Sequence, residues 1–407
     1  MKIKRIATAV VEANYDYTYV RVYTDRQDLY GTGEIFFAPG LTAIVRDVAE
    51  VVSGEDPRNI DYLTKKMRRA CSGAGSNAGI VHNAITGIEI ALWDILGKSL
   101  QAPVWQLLGG KWRDEVRMYA DSHGGHGLES MGPCTLPRRP QWSKIKAGTA
   151  ATEKKAFYPK AYAQQARKVV ANGFTALKFD IDIFKGQHEA ETRPLSNEEL
   201  KLQISLVRAV REAVGDDIDI AIDCHWRYNL NDVLKIAWGC EPYHLMWLED
   251  PMPPENNDNL GLLSRQTRTP ICTGENLVLV HGFRKLCETN AVHIIAPDFQ
   301  KAGGILEAKR ICDLAESYFI PVAPHCIASP VGTMQSAHVA ATIPNFLVLE
   351  FHGQDVPFWD SLGIVPGHHG PHIRNGLLKV PNTPGFGIEL NEKVARNYSK
   401  AGETFFA

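Results

Sequence analysis

Four apolar runs in the second half of this chain each stop at a carboxylate. They are Ile-Asp-Ile-Ala-Ile-Asp223, Leu-Met-Trp-Leu-Glu249, Pro-Ile-Cys-Thr-Gly-Glu275 and His-Ile-Ile-Ala-Pro-Asp298. The acids recur about every 25 residues, the length of one strand, one helix and two short loops in a parallel βα repeat. Closing such repeats into a barrel brings every strand's C-terminal end to one face, so these acids would meet. Three carboxylates at one mouth, Asp223, Glu249 and Glu275, repel one another unless a cation neutralises them. Oxygen-only ligands favour Mg²⁺ or Mn²⁺ over Zn²⁺. A single acid after an apolar strand is ordinarily a solvated loop residue; three in successive repeats are hard to ascribe to coincidence.

Further groups fall at strand ends beside them. Asp298 and His325 close two consecutive strands. A carboxylate there can orient the imidazole and raise its basicity, making His325 a candidate general base rather than a core histidine satisfied by backbone. Lys178, in Ala-Leu-Lys178-Phe179-Asp180, would point into the mouth, where it can pair with a substrate carboxylate; the plainer reading is a charged residue at a strand edge. Glu350 ends the last strand and could donate to an oxyanion if protonated, or serve only as an ion-pair partner. His225 follows Asp223 by two residues, shares its facing and is placed to act as general acid, unless it is a solvated loop histidine. Arg227, His123 and Asp180 are candidate substrate contacts.

These residues need a scaffold. Strands are expected at 117–121, 175–180, 218–223, 245–249, 270–275, 294–298, 321–325 and 347–350, with amphipathic helices between them. Eight is the number that closes a (β/α)₈ barrel. Residues 1–112 read as a separate α+β capping domain with two early antiparallel strands, then helices. Ala84, Ile88, Ala91, Leu92 and Ile95 mark a buried helix over 82–97. Residues 113–358 are then the barrel, and 359–407 a Gly-, Pro- and His-rich tail that packs back on the capping domain. A Pro- and Arg-rich stretch, 127–159, interrupts the first barrel repeat as an inserted loop.

With 44 basic and 46 acidic residues in 407, nothing points to nucleic acid or an anionic membrane. No apolar run reaches the roughly 20 residues of a membrane span, and the N-terminus lacks the apolar core of a signal peptide. The eight cysteines form no Cys-x-x-Cys pair and several lie in apolar runs, which suits a reducing cytoplasm. Gly97-Lys98-Ser99 lacks the first glycine of a phosphate loop, Gly73 to Gly79 misses dinucleotide spacing, and His368, His369 and His372 have no acid or Cys placed to complete a metal site.

The chain resembles the enolase superfamily, specifically its mandelate racemase subgroup. Besides the acids and the Asp298/His325 pair, the likeness rests on Glu89-Ile-Ala-Leu-Trp93-Asp94-Ile-Leu-Gly97-Lys98, Pro103-Val-Trp-Gln-Leu-Leu-Gly109-Gly110, Lys301-Ala-Gly303-Gly304-Ile305 and Pro384-Gly385-Phe-Gly387-Ile-Glu389. The resemblance implies a capping domain whose mobile loops close over the barrel, with 71–79 matching one lid. It also implies one Mg²⁺ per site and abstraction of a proton α to a carboxylate, with an enediolate intermediate. Homo-oligomers, dimers or octamers, are common in the superfamily. Racemases of the subgroup carry Lys-x-Lys where this chain has Lys178-x-Asp180. One base plus loss of a β-hydroxyl is dehydration, and this segment with His225-x-Arg227-Tyr-Asn is similar to acid-sugar dehydratases, nearest the gluconate dehydratase branch. The expected substrate is an aldonate or aldarate. A racemase or epimerase, with Asp180 or His225 as second base, and a non-catalytic metal-dependent acid-sugar binding protein are the alternatives.

Overall fold

The computed structural model describes residues 1–122, 158–183 and 194–407. His123, Cys134 and nearly all of the 127–159 stretch lie outside the described residues. The chain opens with an antiparallel meander, β1 (Ile3–Glu12), β2 (Asp16–Thr24) and β3 (Tyr30–Ile35). Helices α1 (Leu41–Ala49), α2 (Ile60–Ala70) and α3 (Gly79–Leu100) follow, and α3 lies across β2 and β3. The close approach of α3 explains Gly31 and Gly33: a Cβ on either would come within 2.3 Å of the carbonyl oxygen of Ala91 or Gly87. Helix α3 is long and apolar enough to span a bilayer, but 78% of its apolar window is buried inside the protein, as befits a core helix. The short α4 (Val104–Leu107) leads to the barrel.

Strands β4 (Glu115–Asp121), β5 (Ala176–Asp180), β6 (Asp219–Asp223), β7 (Trp247–Glu249), β8 (Ile271–Thr273) and β9 (Ile294–Ile295) pair in parallel in chain order, and β10 (Leu349–Phe351) pairs back onto β4. Helices α5 (Pro159–Ala171), α6 (Asn197–Val214), α7 (Leu230–Cys240), α8 (Asn257–Gln266), α9 (Leu279–Glu288), α10 (Ile305–Ser317) and α11 (Pro330–Ala340) lie between them. The expected strand at 321–325 is reduced to one bridging residue, Val322, between Ile295 and Phe346. Pro321 and Pro324 remove two N–H donors from that segment, so a full ladder cannot form there, yet the ring still closes. Below the mouth the barrel is filled by one side chain from most strands. Tyr119 and Trp247 meet edge-on at 5.3 Å, and Ala176, Ala221, Cys272 and Ala323 make room for them.

The tail touches both bodies. Leu377–Lys379 pairs antiparallel with β4, while Ser399 and Phe405 bridge to Val11 and Ala9 of β1. The Gly303-Gly304 motif has a related origin. Glu89 of α3 reaches across to accept the N–H groups of Ile305 (2.8 Å) and Leu306 (3.0 Å), capping α10, and a Cβ on Gly304 would collide with that carboxylate.

His338 ties α11 to α4 and the tail. Its Nδ1 accepts the Trp105 N–H (3.1 Å), so Nε2 carries the hydrogen and donates to Phe386 O (3.0 Å). Protonation would set one N–H against another, and burial already lowers this ring to about 3. With the folded pKa below the unfolded value, the unfolded chain binds the extra proton, so this ring's contribution to stability falls as pH drops below 6.5. His338→Gln keeps one acceptor and one donor but cannot titrate. The stability difference between wild type and variant is expected to shift by about 2 kcal/mol against wild type between pH 7 and pH 5. Urea unfolding at both pH values reads this directly; identical pH dependence in both proteins would refute the assignment.

Candidate active site

The register of the barrel strands builds the site. Asp180 stands opposite Asp223, and Asp223 opposite Glu249, on adjacent strands. Glu275 arrives two residues beyond β8, after Gly274 at φ 139°. Asp223, Glu249 and Glu275 are all buried, and each offers an oxygen within 4.8 Å of the others'. The structure thus brings the three sequence-expected ligands together. Burial drives the Glu249 carboxyl well above the usual carboxylate range, whereas the charges of His225 and Lys178 outweigh burial at Asp223 and depress it. Positive charge already gathers here: Lys178 Nζ lies 2.9 Å from Asp223, 2.8 Å from Glu249 and 3.0 Å from Glu350. Burial alone would lower the Lys178 ammonium, but those acids raise it well above its ordinary value. Lys178 therefore points inward as expected, but it is held by these three carboxylates of the chain itself, with Asp121 a fourth at 3.9 Å.

His325 Nδ1 sits 2.7 Å from Asp298 Oδ2. The other Asp298 oxygen accepts the N–H groups of Gln300 (2.7 Å) and Lys301 (3.1 Å), which fixes the carboxylate as an acceptor and gives Nδ1 the hydrogen. Nε2 is left facing the mouth, 3.2 Å from Glu275 and 3.7 Å from Glu350. Burial pulls this imidazole down, but the charges of Glu275 and Glu350 and the Asp298 hydrogen bond together raise it to about 9. Glu350 accepts the Cys326 N–H at 2.7 Å through one oxygen and faces Lys178 through the other.

His225 and Trp226 take consecutive left-handed backbone conformations, φ 43° and 61°, a costly turn for non-glycine residues. It holds the His225 ring at the mouth, with Nδ1 3.3 Å from Asp182 and Nε2 3.9 Å from Asp223. Asp180 also lines the mouth. Arg227 is not among the described residues lining the cavity.

The cavity over these groups measures about 190 Å³. Its roof is aromatic and comes from the N-terminal sheet: Tyr15 in the β1–β2 turn, and Phe36 and Phe37 after β3. None of the described lining residues comes from 71–79, the stretch expected to act as a lid; Ser76 there donates instead to the Arg68 carbonyl. A wider groove between Trp105, Lys111 and Trp112 contains none of the site's carboxylates, and Lys111 and Arg113 are engaged there by backbone carbonyls. Asp121, His352, Asn276 and Lys301, none of them among the site residues expected from sequence, also line the cavity. Two carried a usable signal: Asp121 ends its strand as the other acids do, and His352 follows Glu350 by two residues, as His225 follows Asp223.

Among the described residues, two groups of side chains are close enough to hold a metal ion, Asp223–Glu249–Glu275 and Asp180–Asp223–His225. The first offers only oxygen, is buried throughout, and already gathers an ammonium against two of its members. It fits a hard divalent cation.

Residues 4–109 match the family model described as the N-terminal domain of mandelate racemase / muconate lactonizing enzyme, and residues 161–394 the enolase C-terminal domain-like model. A D-xylonate dehydratase from Haloferax volcanii is 41% identical, covering 100% of this chain and 90% of that protein. A D-galactonate dehydratase family member from Musicola paradisiaca is 30% identical over 97% of this chain and 93% of its own length. A crystal structure of a mandelate racemase/muconate lactonizing enzyme-like protein from Rubrobacter xylanophilus superposes with a TM-score of 0.89 at 40% identity, covering 100% of this chain and 99% of that one.

Proposed function

This chain belongs to the mandelate racemase / muconate lactonizing enzyme family of the enolase superfamily, and from that premise we propose that it is a Mg²⁺-dependent acid-sugar dehydratase. It would remove water from an aldonate to leave a 2-keto-3-deoxy acid. The observation that carries this reading is the Asp298–His325 pair, whose free nitrogen faces the three-carboxylate group across one buried cavity. The names of the relatives support the same chemistry.

Asp223, Glu249 and Glu275 would hold the cation. When bound, it acts as a Lewis acid that stabilises negative charge on the substrate carboxylate. His325 Nε2 takes the proton from C2, while Asp298 keeps Nδ1–H in place and stabilises the imidazolium. The C3–O bond then breaks, and the departing hydroxide takes a proton from His325 or from His225 to leave as water. The enol that remains tautomerises to the 2-keto acid. Lys178 and Glu350 keep the substrate's carboxylate end in place. Any positive charge brought to Glu275 removes the strongest influence raising His325, and so favours the neutral ring that a base must be.

A panel of mono- and diacid sugars, incubated with Mg²⁺ in D₂O, tests the reading. Keto acid is expected from at least one aldonate. Recovery of a C2 epimer carrying solvent deuterium, with no keto acid, would instead mean a racemase or epimerase. Tight binding with no product from any compound would mean a binding protein.

A further inference from the structure

Two barrel segments bring Asp298 and His325 together. One runs from Asp298 to Ile305, where α10 begins; the other runs from His325 to Ser329, just before α11. Each starts at a member of the pair and ends on a carboxylate from the N-terminal domain.

The His325 segment ends on Glu34 of β3. One oxygen of Glu34 accepts the Ser329 N–H at 2.8 Å; the other accepts the Ser329 hydroxyl and, at 2.9 Å, the Gly332 N–H. The backbone of β3 is held in return. The Glu34 N–H donates to Gln335 Oε1 (3.1 Å), and Gln335 Nε2 donates to Thr32 O (2.8 Å). Between its ends the segment is pinned by the Cys326 N–H on Glu350 and by Ala328 O, which accepts the Trp359 indole N–H at 2.8 Å.

The Asp298 segment ends on Glu89 of α3, whose two oxygens take the N–H groups of Ile305 and Leu306. Gly303 and Gly304, at φ 129° and 93°, lead into α10 and bring no side chain to cap it. The two segments meet at Gly332, where a Cβ would come within 2.9 Å of Glu34 Cδ and 1.9 Å of Gln300 Nε2.

Both carboxylates are only 1% exposed, and burial raises each to about 7 against the N–H groups that would lower it. A carboxylate kept at that cost does what a serine cap does not: its two oxygens fix two donors at a set spacing. A base takes a proton only from a near-attack position, and a displacement of about 1 Å costs on the order of 100-fold. We infer that Glu34 and Glu89 are positioning residues, which hold from the N-terminal domain the two loops that bring Asp298 and His325 to their 2.7 Å contact. This rests on His325 being the base, as in the dehydratase reading above, and adds that the barrel alone does not place it.

The test uses Glu34→Gln and Glu89→Gln in the full chain. Each keeps the side chain's volume but turns an amide N–H₂ toward a backbone N–H, so one donor loses its acceptor. Melting temperature and Mn²⁺ bound per chain are measured first. Keto-acid formation and C2-proton exchange in D₂O are then expressed per bound Mn²⁺, with the aldonate turned over fastest. Each variant is expected to lose about 10- to 100-fold in kcat for both, with KM and Mn²⁺ affinity within about threefold of wild type. Mn²⁺ sites lost in proportion to activity, with wild-type turnover at each remaining site, would mean a merely structural role and overturn the inference. If both Gln variants fail to fold, Ser329→Ala carries the test. It removes the hydroxyl bonds to Glu34 and to the Val331 N–H and should cost about 3- to 10-fold per site; wild-type turnover per site there would overturn the inference too. A wild type that exchanges the C2 proton but makes no keto acid would overturn the dehydratase reading, and the exchange rates would still decide this inference. A wild type that does neither would overturn both.

Discussion

Replacing His325 with Asn is expected to cut keto-acid formation by about 100- to 10,000-fold while leaving divalent-cation affinity within a few-fold of wild type. The Asn amide can still donate to Asp298, whose other oxygen remains fixed by Gln300 and Lys301. What it cannot do is take a proton from C2. The carboxylates that would hold the cation keep their positions on β6 and β7 and just beyond β8. The two readouts therefore separate: exchange of the C2 proton with solvent should vanish, and a cation titration should barely move. Exchange at the wild-type rate in this variant would remove His325 from the role of base.

The second large effect is expected at Glu249. This carboxylate is completely buried, accepts the Trp247 indole N–H at 2.7 Å and faces Lys178 at 2.8 Å. Glu249→Gln preserves volume and can keep the indole hydrogen bond, but it removes one negative charge from the cluster. Affinity for Mg²⁺ or Mn²⁺ should fall by at least about 100-fold, since even outer-shell partners of a metal site are typically worth 10- to 100-fold. Activity should recover in part at high cation concentration. Chelation of wild type with EDTA should abolish turnover, and added Mg²⁺ should restore it. Unchanged cation affinity in Glu249→Gln would argue against ligation by this group.

The barrel was legible because each strand writes the same local signature: a short apolar run buried on both faces, then an acid or histidine at the C-terminal end. Asp223, Glu249, Glu275, Asp298 and His325 follow from that rule. Asp121, at the end of β4, satisfies it too. What could not be read were contacts set by closure in three dimensions. Lys178 reaches Asp223, Glu249 and Glu350 only because β5, β6, β7 and β10 curl around one axis. Tyr15, Phe36 and Phe37 look like ordinary turn aromatics until the N-terminal sheet docks over the mouth. The thinning of the 321–325 strand to Val322 follows from Pro321 and Pro324, a signal that the apolar pattern alone does not carry. The lid expected at 71–79 came from resemblance, and the described roof is built from other segments.

On the proposed reading, three acids from successive barrel repeats share one doubly charged ion. Crystals grown with Mn²⁺ and measured for anomalous scattering test it most directly. One strong peak is expected per chain, within bonding distance of an oxygen from each of Asp223, Glu249 and Glu275. A peak among Asp180, Asp223 and His225 instead, or none in the mouth at saturating Mn²⁺, would contradict it.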